Sequence, residues 1–83
     1  MNKPVYRKTV ERDNSYHKVT SPDTMISVKV NPRGNYSIHA YKNGSVYVAN
    51  VLDDENTVES TEKEFDEHLG MAMDVLGKIL IEQ

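Results

Sequence analysis

The sequence has no cysteine and no tryptophan, and only one phenylalanine, three prolines and four glycines. Without cysteine there is no disulfide staple, no zinc–thiolate site and no Cys nucleophile, and the redox compartment is left open. No apolar run approaches the ~20 residues needed to cross a bilayer. Met1-Asn2-Lys3-Pro4 opens a polar start without the apolar core of a secretory signal, so a cytoplasmic protein is expected. No repeat or low-complexity segment occurs. The 83 residues, 28% charged and 37% hydrophobic, fit one small globular domain with little room for an elaborate active site. A domain of this size hides only about 60% of its unfolded surface. Where disulfides and metals are missing, oligomerisation is a common remedy, and a homodimer is expected on that ground alone.

Four segments can be read along the chain: an N-terminal strand region (1–24), a three-stranded meander (25–52), an acidic loop (53–60) and a helix (61–82). Ile26, Val28 and Val30 alternate with period two. Asn31-Pro32-Arg33-Gly34 reads as a type I turn, with Gly34 at the left-handed position of a bulged hairpin. Tyr36 to Lys42 forms the next strand. Asn43-Gly44 then reads as a type I′ hairpin turn, which would return Ser45 to Leu52 as a third strand. These loop lengths set Val30 opposite Tyr36, Val28 opposite Ile38 and Ile26 opposite Ala40. They also place Tyr47, Ala49 and Val51 beside Ala40, Ile38 and Tyr36 on the same face. Further strands are expected at Val5–Val10 and Tyr16–Thr20, with Asp13-Asn14-Ser15 as the turn between them and a loop at Ser21-Pro22-Asp23. Thr61 to Glu64 is a capping box, in which Glu64 would reach back to the Thr61 amide. Phe65, Leu69, Ala72, Met73, Leu76, Ile79 and Leu80 follow as one apolar stripe. About 20 helical residues span some 30 Å, enough to cross a sheet and project beyond it. The expected fold is therefore α+β: an antiparallel sheet of three to five strands with one long C-terminal helix packed across it.

Two surfaces are left over once the core is assigned. The second sheet face would carry Met25, Tyr41, Val46 and Val48 among Lys29, His39 and Asn50, too apolar to stand in water. Either the N-terminal strands or a second subunit covers it, or it binds a partner. On the helix, Gly70 and Gly77 sit one heptad apart near Met71, Met73, Val75 and Ile81. Each glycine costs about 1 kcal/mol in a helix interior. Close packing against the chain's own sheet or against the same helix of a twin subunit would explain them.

Candidate chemistry is sparse. His17, His39 and His68 have no second His or Cys at zinc-ligand spacing, and His68 is placed to pair with Glu64 one turn earlier. Eight carboxylates fall between Asp53 and Glu67, but a capped helix start is not a cleft that would shift their pKa values. Asp53-Asp54-Glu55 lacks the alternating ligands and the glycine of a calcium loop. There is no glycine-rich phosphate loop. No cofactor and no metal are implied, and an enzyme is not expected. Charge is distributed unevenly: residues 1–52 carry a net +5 and residues 53–83 a net −8, within an overall −3. A basic sheet could simply neutralise an acidic helix, could meet nucleic acid or an acidic protein, or could leave the acidic segment to fill a basic groove on a partner.

At the level of topology, strands followed by one long helix resemble the dimeric single-stranded-DNA-binding coactivators and Whirly-type modules. That resemblance implies a platform of Tyr6, Tyr16, His39 and Tyr41 beside Lys8, Lys18 and Lys29, on which bases would stack. No sequence motif of those families is present. The expected function is a small non-enzymatic protein-binding module, an inhibitor or accessory factor of the small bacterial or phage kind, acting as a homodimer. Its partner would meet the acidic segment (Asp53, Asp54, Glu55, Glu59, Glu62) or the sheet face (Met25, Lys29, His39, Tyr41, Val46, Val48). Dimer packing is assigned to Gly70, Met73, Gly77 and Ile81. The alternative is a single-stranded nucleic-acid binder. No membrane partner is expected.

Overall fold

The computed structural model describes residues 2–11, 13–53 and 55–81. In chain order these form β1 (Val5–Val10), β2 (Asn14–Ser21), β3 (Thr24–Val30), β4 (Tyr36–Lys42), α1 (Ser45–Leu52), β5 (Val58–Glu59) and α2 (Glu62–Ile81). The strands make one antiparallel sheet in the order β4-β3-β2-β1-β5. The chain is therefore α+β, with α2 lying on the sheet as its single long helix. Among the described residues, no helix is long and apolar enough to cross a membrane.

The β3–β4 hairpin follows from its turn. The Gly34 amide donates to the Asn31 carbonyl at 2.9 Å, and Gly34 takes φ +84°, where a side chain would be strained. The Asn31 carboxamide oxygen accepts the amides of Arg33 and Asn35, which closes the loop from inside. The resulting pairs are Val30–Tyr36, Val28–Ile38 and Ile26–Ala40, as the loop length requires. Asp13-Asn14-Ser15 is not the β1–β2 turn, because Asn14 and Ser15 already pair with Val10 and Thr9.

Residues Ser45–Leu52 depart from expectation. Only Asn43 has positive φ, whereas Gly44 has φ −103° and serves as the N-cap of α1. A type I′ turn needs both residues in the left-handed region, so no hairpin forms here. Val48, Val51 and Leu52 fit the i, i+3, i+4 spacing of a helix as well as alternating residues fit a strand. Tertiary demand decides between them. The face formed by Val5, Val19, Met25 and Tyr41 needs a cover, and α1 supplies it through Val48 and Val51. Tyr47, Ala49 and Val51 therefore do not extend the meander, which has two strands after Met25 and not three.

On the other face α2 buries Phe65 and Ala72 against Tyr16 and Val28, with Tyr6, Val30, Tyr36 and Leu69 around them. Thr61 caps it, its hydroxyl accepting the Glu64 amide at 3.1 Å. The reciprocal half of the capping box is absent. The Glu64 carboxylate instead takes the Ser60 hydroxyl and, at 3.2 Å, the Lys8 ammonium, which pins the helix start above β1. His68 then stacks on Tyr16 of β2 with centroids 3.8 Å apart, and Tyr36 of β4 donates its hydroxyl to the Met71 sulfur. The helix thus passes from β1 to β4 in its first ten residues, and the rest extends past that edge.

A substitution pair separates helix from strand at residues 45–52. Val46 is 70% exposed and Val48 is fully buried, whereas in a strand the two would share a face. Chemical denaturation should show Val48→Ala losing about 2 kcal/mol and Val46→Ala staying within about 0.5 kcal/mol.

Candidate functional site

The register sorts every strand residue onto one of two faces. Tyr6, Lys8, Tyr16, Lys18, Ile26, Val28, Ile38 and Ala40 lie on the α2 face. Arg7, Thr9, Ser15, His17, Ser27, Lys29, His39 and Tyr41 lie on the α1 face. This splits the expected nucleic-acid platform. Tyr6 and Tyr16 are under α2, with Lys8 engaged by Glu64, whereas His39, Tyr41 and Lys29 are on the opposite side, Lys29 beside Asp13 at 3.7 Å. Lys18 lies over the Tyr6 ring at 5.9 Å. On the α1 side His39, Tyr41 and Tyr47 are neighbouring rings beside Lys29, so only that part of the expected platform is gathered on one face.

The α1 face carries a polar row that residue patterns alone do not announce. Glu59, Arg7, His17, Ser27 and His39 are successive cross-strand neighbours from β5 to β4. Arg7 is buried, donating from Nε to the Thr57 hydroxyl at 2.9 Å and from its terminal nitrogen to the Thr57 carbonyl at 2.7 Å. The Thr57 hydroxyl in turn donates to the Val51 carbonyl at the end of α1. His17 is held between the Thr9 hydroxyl (3.0 Å from Nε2) and the Ser27 hydroxyl (2.7 Å from Nδ1). Burial depresses the His17 pKa from 6.5 to about 4, so the ring is neutral and each nitrogen has one partner. Beside it a cleft of about 260 Å³ opens between α1 and the sheet, lined by Ser27, His39, Tyr41, Tyr47 and Asn50. It falls short of the ~300–1,000 Å³ common for small-molecule sites.

Met25 and Val48, expected on a partner-binding face, are buried together, Val48 of α1 packing on Met25 of β3. The surplus sheet face is thus covered by an element that was expected to extend the sheet. Val46 and His39 remain exposed, and Tyr41 is half-buried against Tyr47. Of the acidic segment, Asp53 organises its own loop: its carboxylate accepts the Glu55 amide at 2.9 Å and the Asn56 side chain at 3.3 Å. Asp54 lies outside the described residues. Glu55, Glu59 and Glu62 are exposed and follow one another from the end of α1 through β5 to the start of α2. A depression of about 530 Å³ beside them mixes Lys8 and Lys63 with Glu59, Glu64 and Glu67. Among the described residues no group of three His, Asp or Glu is arranged to hold a metal ion.

The largest unpartnered feature is the second half of α2. Phe65, Leu69, Ala72, Leu76 and Ile79 repeat at alternating spacings of four and three and so share one face. Phe65 and Ala72 are buried, but beyond Ala72 the same stripe has no sheet beneath it. Seven apolar side chains from Met71 to Ile81 are 37–86% exposed. A Cβ at Gly70 or Gly77 would meet nothing within 4 Å, so close packing against the chain's own sheet does not explain the two glycines.

The His17 shift fixes a pH dependence. Its folded pKa lies below its free value, so the unfolded chain takes the proton first, and stability present above pH 6.5 is lost as pH falls towards 4. Denaturation midpoints should drop across that window in the natural protein. His17→Gln, which keeps a donor and an acceptor, should flatten the drop. Compared with known proteins, the chain matches no family model, no curated protein and no solved structure, so its functional reading rests on these surfaces.

Proposed function

We propose that this chain is a non-enzymatic protein-binding module that works as a homodimer in the cytoplasm, an inhibitor or accessory factor of small bacterial or phage type. The observation that carries the reading is the bare stripe of α2. The helix follows its core-facing pattern for about two turns beyond the sheet, and only another macromolecular surface could cover that length. A second copy suits it because the overhang is electrically balanced. Its two charged side chains among the described residues, Asp74 and Lys78, pair with each other at 3.2 Å, so two overhangs would not repel.

At the opposite sheet edge, Glu55, Glu59 and Glu62 stay free for a basic protein surface, and a dimer would present that edge twice. The non-enzymatic reading is supported by two buried polar groups that are spent on architecture: Arg7 holds Thr57, and His17 is bonded on both sides.

Replacing Leu76 and Ile79 by Glu tests the reading. Both are exposed, so the circular dichroism spectrum should be unchanged while the mass in light scattering falls to that of one chain. Reversing Glu55, Glu59 and Glu62 to Lys should leave the dimer intact and weaken capture of a basic partner at least tenfold. A dimer indifferent to the Leu76/Ile79 change would refute the role given to α2.

A further inference from the structure

We infer that two copies pair edge to edge through antiparallel β4 strands about a two-fold axis at His39, each α2 overhang lying across the partner's β4 and β3 on Ala40 and Ile26. This rests on the homodimer reading above and specifies its geometry.

The two sheet edges differ in kind. The β5 edge is two residues long and carries Glu59, and an edge so short offers little to pair with. The β4 edge is seven residues long (Tyr36–Lys42), has no proline, and pairs with β3 in unbroken register from Lys42 to Tyr36. Its only charged side chain is Lys42, at its end. An edge strand of this length without proline is a template for another strand. Pairing all seven residues with a two-fold copy sets Ile38 beside Ala40 of the partner subunit, joining two apolar patches.

The α2 face beside that edge is bare as well. Ile26 and Ile38 are over a third exposed and Ala40 is exposed, because α2 crosses β4 at Tyr36, at the other end of the strand. The two-fold axis brings Tyr36 of the partner subunit next to Lys42. The partner's overhang therefore continues over Ala40 and then Ile26. From Met73 to Ile81 the overhang is about 13 Å long, which spans between two and three strand spacings. Its negative dipole end arrives over β2, near Lys18. The flank of α2 opposite Met71 carries Met73 and Leu80, with Gly77 next to them. The two helices cross the joined sheet six residues apart along the strands, about 20 Å, so this flank faces the partner helix without packing against it. Leu76 and Ile79 are 47% and 53% exposed and Ile26 is 36% exposed, and this arrangement sets the first two over Ile26 and Ala40 of the partner subunit, towards the ~800 Å² that each partner contributes to a stable interface.

Because the protein has no cysteine, a single introduced thiol reports on the axis. Residues facing each other across antiparallel strands have Cα atoms about 4.5–5.5 Å apart, within disulfide range. His39→Cys, at an exposed position, should oxidise to a disulfide-linked dimer, whereas Glu59→Cys on the β5 edge should not. Amide hydrogen exchange of the natural protein gives an independent reading: the outward-facing amides of residues 36–42 should slow at least tenfold as concentration is raised through dimerisation. A dimer in light scattering that shows neither the His39→Cys crosslink nor β4 protection would overturn this geometry and leave the homodimer reading standing. A monomer at tens of micromolar would overturn both.

Discussion

The helix α2 is longer than the sheet beneath it is wide, and most of what is distinctive about this protein follows from that mismatch. Three strand spacings, about 14 Å, separate β1 from β4. The helix covers them within its first ten residues, about 15 Å long, and then continues with an unchanged apolar stripe. In a single copy that stripe faces water. The first half of the helix anchors the core through Phe65 and Ala72, and the apolar side chains of the second half are exposed.

The sheet is furnished differently on its two sides. Beneath α2 lies an aromatic layer, in which Tyr16 stacks on His68 and Tyr6 meets Phe65. Beneath and beside α1 the apolar patch of Val19 and Met25 gives way to the row Arg7–His17–Ser27, whose polar atoms are bonded within the fold. Buried hydrogen-bonded groups of this sort favour one arrangement over its neighbours, since a slipped register would strand a buried guanidinium or imidazole. They keep the α1 side fixed, whereas the α2 side offers the open surface.

Much of the fold was legible where turn chemistry and alternation agreed. The Asn31–Gly34 turn set the β3–β4 register residue by residue, and Thr61 marked the start of the helix that carries the Phe65–Leu80 stripe. Legibility failed at Ser45–Leu52, where eight residues rich in Val satisfied both periods and the decision lay in the uncovered face of Val19 and Met25, a tertiary fact. The capping-box spacing makes Glu64 a local cap, whereas a lysine 56 residues away and Ser60 take its carboxylate. Arg7 and His17 were missed as a buried pair of anchors because alternation places them on a face without saying what covers it. On the candidate surfaces, the helix overhang and the exposed acids Glu55, Glu59 and Glu62 could be read from spacing and charge. The burial of Met25 and Val48 could not, since both depended on the placement of α1.

The proposed self-association would tie these features together, since an apolar stripe, a seven-residue sheet edge and a bare strip of sheet could cover one another. Sedimentation equilibrium of the natural protein at tens of micromolar tests this most directly. Burial of the overhang predicts a species of twice the 9.5 kDa chain mass that dissociates on dilution. A single 9.5 kDa species across the whole concentration range would contradict it.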